Sequence, residues 1–245
     1  MKKSSVKNKF TLKLITYFWL GLLALSILSI FIVQKLDNAI QQERLTNKDK
    51  VEMVSLGYIL ANRSDFLTAE ARNFAVTANP LHMMRYWDEV FVSKTRDYCV
   101  SRLKQLSANK NEIALLAKSK RNSDALILTE IRSMKLVLEA HNIPNELTPE
   151  PVRNYILPEY EKNLSANNKM LLAQKIMFNE QYYDDKKLIM DPIAIFEKQL
   201  NERTNIDLQK NEHEVNKYRI YLITTISLLA IFIFIIIWLR ILYLR

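Results

Sequence analysis

Two charge-free stretches of about twenty residues bracket this chain and fix most of what it can fold into. Leu14 to Gln34 reads LITYFWLGLLALSILSIFIVQ, and Ile220 to Leu239 reads IYLITTISLLAIFIFIIIWL. At 1.5 Å of rise per residue, about 20 helical residues cover the ~30 Å hydrocarbon layer of a bilayer. Lipid offers no partner to backbone N–H and C=O groups, so each stretch is expected to be a transmembrane helix. A cleaved signal peptide is the alternative for the first. Its apolar run exceeds the usual about 7–15 residues, and VQKLDNAIQQ offers no small-x-small cleavage site.

Charge then sets a direction. The formal net charge is +9, with Lys2, Lys3, Lys7, Lys9 and Lys13 ahead of the first stretch and Arg240 and Arg245 after the second. Setting those seven aside leaves 28 basic residues against 26 acidic ones, so the surplus is terminal. That pattern fits membrane orientation rather than a nucleic-acid face, and basic flanks stay on the cytoplasmic side. Trp19 and Trp238 lie toward those same ends; Tyr218 and Tyr221 mark the outer end of the second stretch. The organisation expected is a basic cytoplasmic tail (1–13), a first span (14–34), an extracytoplasmic region (35–219), a second span (220–239) and a short cytoplasmic tail (240–245).

Only 2 of 245 residues are Gly, where an average usage near 7% gives roughly 17. Positive-φ turns and phosphate-cradling loops lean on Gly, so long helices are expected and no GxGxxG or P-loop can be written. A single cysteine, Cys99, excludes an internal disulfide and a Cys-based zinc site. His82, His141 and His213 lie far apart, with no HxxxH spacing. No metal, cofactor or catalytic role is expected.

Between the spans, turn signals punctuate helices. Leu36–Asn62 reads as a continuation of the first span, and Ser64 as the cap of a new helix with Asp65 and Glu70 near its positive end. Asn79 before Pro80 reads as a cap and a first helical residue, with helix through roughly Leu106. Asn109 with Glu112 has capping-box spacing. Beyond it Ile113, Ala117, Ile127, Ile131, Met134 and Leu138 recur every three to four residues, with Lys120 and Asp124 interrupting the seam. HNIPNELTPEPVRNYILP holds four of the six prolines and reads as a bent connector. Ser165 reads as the cap of a last long helix, kinked at Pro192, that enters the second span. The fold class expected is all-α: two transmembrane helices flanking an extracytoplasmic antiparallel helical bundle.

Three strings then resemble a known family. SDFLTAEARNFAVTANPLHMMRYWDEV (Ser64–Val90), NSDALILTEIRSMKLV (Asn122–Val137) and LLAQKIMFNEQYYDDKKLIMDPIAIFEKQLNERT (Leu171–Thr204) resemble, in order, segments of the extracytoplasmic helical-bundle sensors of bacterial receptors. Those receptors include methyl-accepting chemotaxis proteins, GGDEF diguanylate cyclases and histidine kinases. The family's T-G-D turn stands here as Thr77-Ala78-Asn79, with less backbone freedom. Family members continue into a HAMP linker and an output domain, whereas six residues follow Leu239 here. The resemblance implies the input half of a sensory receptor in the bacterial cytoplasmic (inner) membrane, with its output half lost, in another chain or outside this sequence. The partners implied are the bilayer, a second copy or other receptor subunits, and a small-molecule ligand. The alternative is a membrane-anchored adaptor that pairs with other receptors.

The candidate ligand-binding residues are Thr68 and Arg72, one turn apart on one helical face, with Arg85, Tyr86 and Trp87 just past the turn. An Arg among aromatics suits a small anionic or aromatic ligand; the alternative is that Arg72 pairs with a neighbouring Glu while Tyr86 and Trp87 are core. EQYYDDKK (Glu180–Lys187) offers paired carboxylates, but Asp184 and Asp185 point about 100° apart on a helix, so a solvated face is expected. Cys99, near Arg96 and Arg102, reads as a buried thiol in preference to a reactive one.

Overall fold

The computed structural model describes residues 2–106, 109–144, 146 and 148–244, with side chains described between 12 and 241. Lys2, Lys3, Lys7 and Lys9, on whose side chains the expected orientation partly rests, and Arg245 lie outside that description. So do Asn145 and Leu147 of the connector. The described residues are helical without a strand. In order they form α1 (Lys2–Thr77), α2 (Pro80–Asp88), a π-turn (Glu89–Ser93), α3 (Thr95–Gln105), α4 (Lys110–His141), α5 (Glu150–Arg153), α6 (Glu159–Lys162), α7 (Ala166–Phe178) and α8 (Glu180–Leu244). The chain divides into two compact units, 1–48 with 204–245, and 49–203.

In the first unit α1 and α8 are long and apolar enough to cross a membrane, and only 6% and 11% of their most apolar windows is buried. Protein therefore leaves these apolar side chains uncovered. The two helices pack antiparallel: Phe18 meets Phe232 edge-on at 5.3 Å, and further out Asn211 Nδ2 donates to Thr46 Oγ1 at 2.9 Å. Gly21 permits the approach, since a Cβ there would stand 2.6 Å from Phe232 Cε1. Hydroxyls within the stretches turn back on their own helix: Ser26, Ser29 and Ser227 each donate to the carbonyl four residues earlier at 2.9 Å. These hydroxyls thereby ask nothing of their surroundings. Lys13 and Arg240 are exposed.

In the second unit, contacts run in opposite register between successive helices. Glu52 and Arg63 of α1 reach Arg102 and Glu89. Asp97 and Arg96 of α3 reach Lys120 and Ser123 of α4. Ser133 and Glu112 of α4 reach Ala173 of α7 and Arg203 of α8. Four helical stretches thus alternate in direction around two apolar clusters. One gathers Leu67, Phe74, Met83, Tyr86, Met134, Val137 and Tyr182; the other gathers Leu56, Leu60, Cys99, Leu103, Leu116 and Phe196. Burial of each such side chain contributes about 1.5–3 kcal/mol. Gly57 sits under Phe196: a Cβ there would stand 3.1 Å from Phe196 Cε1. Both glycines therefore serve close helix approach, and no described glycine has positive φ.

Several local expectations hold. Asn79 accepts from Leu81 N with Pro80 at the first turn, Asn109 and Glu112 form the capping box, and Ser165 accepts from Asn168 N. The turn before Asn79 places Ala78 at φ 55°, a left-handed conformation that costs an L-residue about 1–2 kcal/mol.

Four expectations are corrected. Ser64 caps nothing: α1 runs through it, because Met53, Leu56, Leu60, Ser64, Leu67, Ala71 and Phe74 form one unbroken buried stripe. The helix after Pro80 is not continuous to Leu106; it widens into the π-turn and breaks at Lys94, φ 47°. Lys120 and Asp124 do not interrupt a seam, because both are exposed and paired with each other at 3.4 Å. Finally, the last long helix is divided at Asn179, whose side chain accepts from Tyr182 N at 2.8 Å, and α8 then continues helical across Pro192. Proline lacks the N–H that would bond the Leu188 carbonyl. Asn122 Nδ2 donates to that carbonyl instead, at 2.8 Å.

Candidate functional site

The inner face of α4 is Glu112, Leu116, Ser119, Ser123, Leu126, Glu130, Ser133 and Val137, all buried and spaced alternately four and three residues apart. This is a heptad seam with polar residues at five of its eight positions. Each polar group buried in such a seam needs a partner or exacts a penalty. Glu112 accepts from Arg203 Nε at 2.8 Å and from its own cap N–H at 2.9 Å; Ser133 donates to the Ala173 carbonyl at 3.0 Å.

Glu130 is the centre of the arrangement. It is 3% exposed, and its two carboxylate oxygens accept from Tyr86 Oη at 2.5 Å and Tyr182 Oη at 2.7 Å. The cap at Asn79 starts α2 so that Tyr86 faces inward; the cap at Asn179 does the same for Tyr182 at the start of α8. One carboxylate thus ties three helices. Burial raises the Glu130 carboxyl above the usual carboxylate range, partly offset by the two tyrosine donors and by Lys186 and Arg96. Burial and the Glu130 charge push both phenols well up, so they remain neutral donors. Burial lowers Lys186, which Asp65 partly restores through a 3.1 Å contact.

Of the expected ligand residues, the structure brings Thr68, Arg72 and Tyr86 to this centre. Thr68 donates to the Ser64 carbonyl at 3.2 Å and lies beside Tyr182. Arg72 Nε donates to the Met177 carbonyl at 3.0 Å, and its guanidinium stands 4.7–5.1 Å from the ring centres of Phe178, Tyr182 and Tyr183. Its Nη2 is buried, with no hydrogen-bond partner among the described residues. Trp87 packs on Tyr86 edge-on and stacks on Phe91, both at 5.1 Å. Arg85 stays apart: it is exposed and faces Glu70 at 3.9 Å, where His82 Nδ1 also lies 2.7 Å from the carboxylate. Tyr86 and Trp87 are therefore core residues in this packing.

Glu130 and Tyr182 are not among the residues expected from the sequence. A signal exists for each. Glu130 sits in phase with Leu126 and Val137, and Tyr182 with Ile189, Ile193 and Phe196, all buried. In EQYYDDKK, Asp184 is solvated as expected while Tyr182 is 1% exposed. Cys99 is fully buried, and burial raises its thiol. Among the described residues no cluster of three His, Cys, Asp or Glu side chains could hold a metal ion. No protein-family model, curated protein or solved structure matches the chain.

Proposed function

We propose that the chain is the input module of a transmembrane sensory receptor. In this reading α1 and α8 cross the bacterial cytoplasmic membrane with both ends inside. Residues 35–219 form an extracytoplasmic antiparallel bundle that responds to an external signal. One observation carries the reading: the three stretches that resemble receptor sensors, Ser64–Val90, Asn122–Val137 and Leu171–Thr204, each supply one member of the central triad, Tyr86, Glu130 and Tyr182.

The mechanism follows from what each triad member is attached to. Tyr182 belongs to α8, which has no break between that residue and the apolar stretch. Tyr86 belongs to a segment bounded by left-handed residues, Ala78 and Lys94, and extended by a π-turn. Such irregular helical segments are the places where helices rearrange. A signal that favours one arrangement of Tyr86 against Glu130 shifts the position of Tyr182, and with it α8.

Cysteine cross-linking tests this. In a Cys99→Ser background, Phe18→Cys with Phe232→Cys reports the packing of α1 on α8 in native membranes. Adding Glu130→Gln is expected to change the cross-linking rate at least about twofold. An unchanged rate would remove the centre from signal transmission.

A further inference from the structure

We propose that the signal is the proton itself: Glu130 takes one up on Oε1, and the Tyr182 phenol turns its hydrogen away to Thr68. The proposal deepens the receptor reading above and rests on it.

Among the described residues of the second unit, Glu112, Glu130 and Glu161 are the most deeply buried carboxylates, and their partners differ. Arg203 donates to Glu112 at 2.8 Å, and Arg132 donates to Glu161 at 3.0 Å. Glu130 has no bonded cation among the described residues; its oxygens accept from two neutral phenols, Tyr86 of α2 and Tyr182 of α8. The cations that face it act through space and are bonded elsewhere. Lys186 of α8 holds Asp65 of α1 at 3.1 Å, and Arg96 of α3 donates to Ser123. Arg72 of α1 stands over the Tyr182 ring at 5.1 Å. A sealed carboxylate without a bonded cation keeps its proton to higher pH, the direction that burial gives Glu130. A proton also needs no space opened for it.

The two phenols differ in what each can do once the proton arrives. An ionised carboxylate only accepts, whereas the acid adds one O–H donor. Among the described residues Tyr86 Oη has no hydrogen-bond partner but Glu130, so it keeps donating to Oε2. Tyr182 lies beside Thr68, whose hydroxyl donates to the Ser64 carbonyl at 3.2 Å while its oxygen can still accept. The new Oε1–H therefore donates to Tyr182 Oη, and the Tyr182 O–H donates to Thr68 Oγ1. No hydrogen bond is lost. One directional chain then runs from Tyr86 through Glu130, Tyr182 and Thr68 to the Ser64 carbonyl. Acidification thus turns the Tyr182 hydrogen from α4 to α1, and it acts on the residue that anchors α8 to the centre.

The test reads the full chain in detergent micelles and in native membranes. In micelles, the infrared difference between pH 5 and pH 8 is expected to hold a carboxylic-acid carbonyl band that Glu130→Gln removes. Its midpoint is expected to lie above the ordinary carboxylate range. Thr68→Val denies the Tyr182 hydrogen its new acceptor and is expected to lower that midpoint by about 0.5–1 pH unit. His82→Gln, at a ring that faces Glu70, is expected to leave it in place. In membranes, cross-linking of Phe18→Cys with Phe232→Cys in the Cys99→Ser background is compared with and without Glu130→Gln at equal pH. That substitution imitates the protonated acid, so a rate difference of at least about twofold at pH 8 is expected to close at pH 5. No such band, or a midpoint that Thr68→Val leaves unmoved, would overturn the proton site while the receptor reading stands. A band with a rate difference equally wide at both pH values would overturn the proton as signal. Rates that Glu130→Gln leaves unchanged at both would overturn the receptor reading, and the proton signal with it.

Discussion

The unit of 1–48 with 204–245 and the unit of 49–203 are built from the same kind of helix with opposite polarity. In the first, Leu20, Ile27, Ile223 and Phe234 point outward uncovered, while serine and threonine hydroxyls hide against their own backbone. In the second, Phe74 and Phe196 are sealed, and carboxylates are sealed with them: Glu112, Glu130 and Glu161 are all at most 3% exposed. Hiding polarity is thus solved in two ways within one chain. The serine hydroxyls of the apolar stretches bond their own helix; the carboxylates of the second unit depend on another.

The buried carboxylates also differ among themselves. Arg132 donates to Glu161 from Nε at 3.0 Å, and burial of that carboxylate is outweighed by Arg132 and Tyr160, leaving its pKa lowered. Glu112 is lowered by Arg203 and its cap N–H in the same way. Glu130 has only neutral donors and is raised. Cationic partners hold a carboxylate ionised; tyrosines do not suffice.

Truncation of large apolar side chains tests the contrast most severely. Phe196→Ala is expected to cost about 3–5 kcal/mol in thermal or denaturant unfolding, through lost transfer energy and a cavity. Phe234→Ala, at a side chain 71% exposed in the structure, is expected to change the same unfolding by less than about 0.5 kcal/mol. Comparable losses at both positions would erase the distinction.

Next come the polar groups. Glu130→Ala strands two buried phenols and is expected to cost about 2–4 kcal/mol, whereas Ser227→Ala, which removes only a bond to its own helix, is expected to cost under about 0.5 kcal/mol. Acidity separates the carboxylates further. Because the folded pKa of Glu130 is raised, its contribution is complete below the ordinary carboxylate range and is lost as pH rises through the folded value. Glu112 and Glu161 behave oppositely, contributing above the ordinary range and losing that contribution as pH falls through their lowered values. Glu130→Gln should therefore gain on wild type at pH 8 relative to pH 5, with the difference closing on acidification. A difference constant with pH would contradict the raised carboxyl.

How much of this is readable from the sequence depends on whether a residue's neighbours along the chain are its neighbours in space. The two apolar stretches, the caps at Asn79, Asn109 and Ser165, and the irregular connector are local, and each holds. Ser64 misleads because a side chain suited to capping sits in a buried stripe set by other helices. The α4 seam misleads for the converse reason. Five of its eight positions are polar, so the adjacent apolar run of Ile113, Ala117 and Ile127, which is only half-buried, gives the stronger periodic signal. Thr68, Arg72 and Tyr86 are legible as candidates, while Glu130 and Tyr182 depend on pairing 52 residues apart.

The smallest effect concerns the turn. Ala78 holds φ 55°, a left-handed conformation that favours glycine. Ala78→Gly is expected to stabilise by about 1 kcal/mol, read as a small rise in Tm, because glycine relieves the left-handed strain. A loss of stability would show that the turn gains from the alanine methyl.

The central claim is that the packed unit and the chain ends lie on opposite sides of a bilayer crossed twice, and thiol labelling reads it directly. In a Cys99→Ser background, Lys187→Cys, Lys13→Cys and Arg240→Cys are treated in intact cells with a membrane-impermeant maleimide. The account predicts that position 187 is labelled at once and that 13 and 240 are labelled only after permeabilisation. Labelling of either 13 or 240 in intact cells, or protection of 187 until lysis, would contradict it.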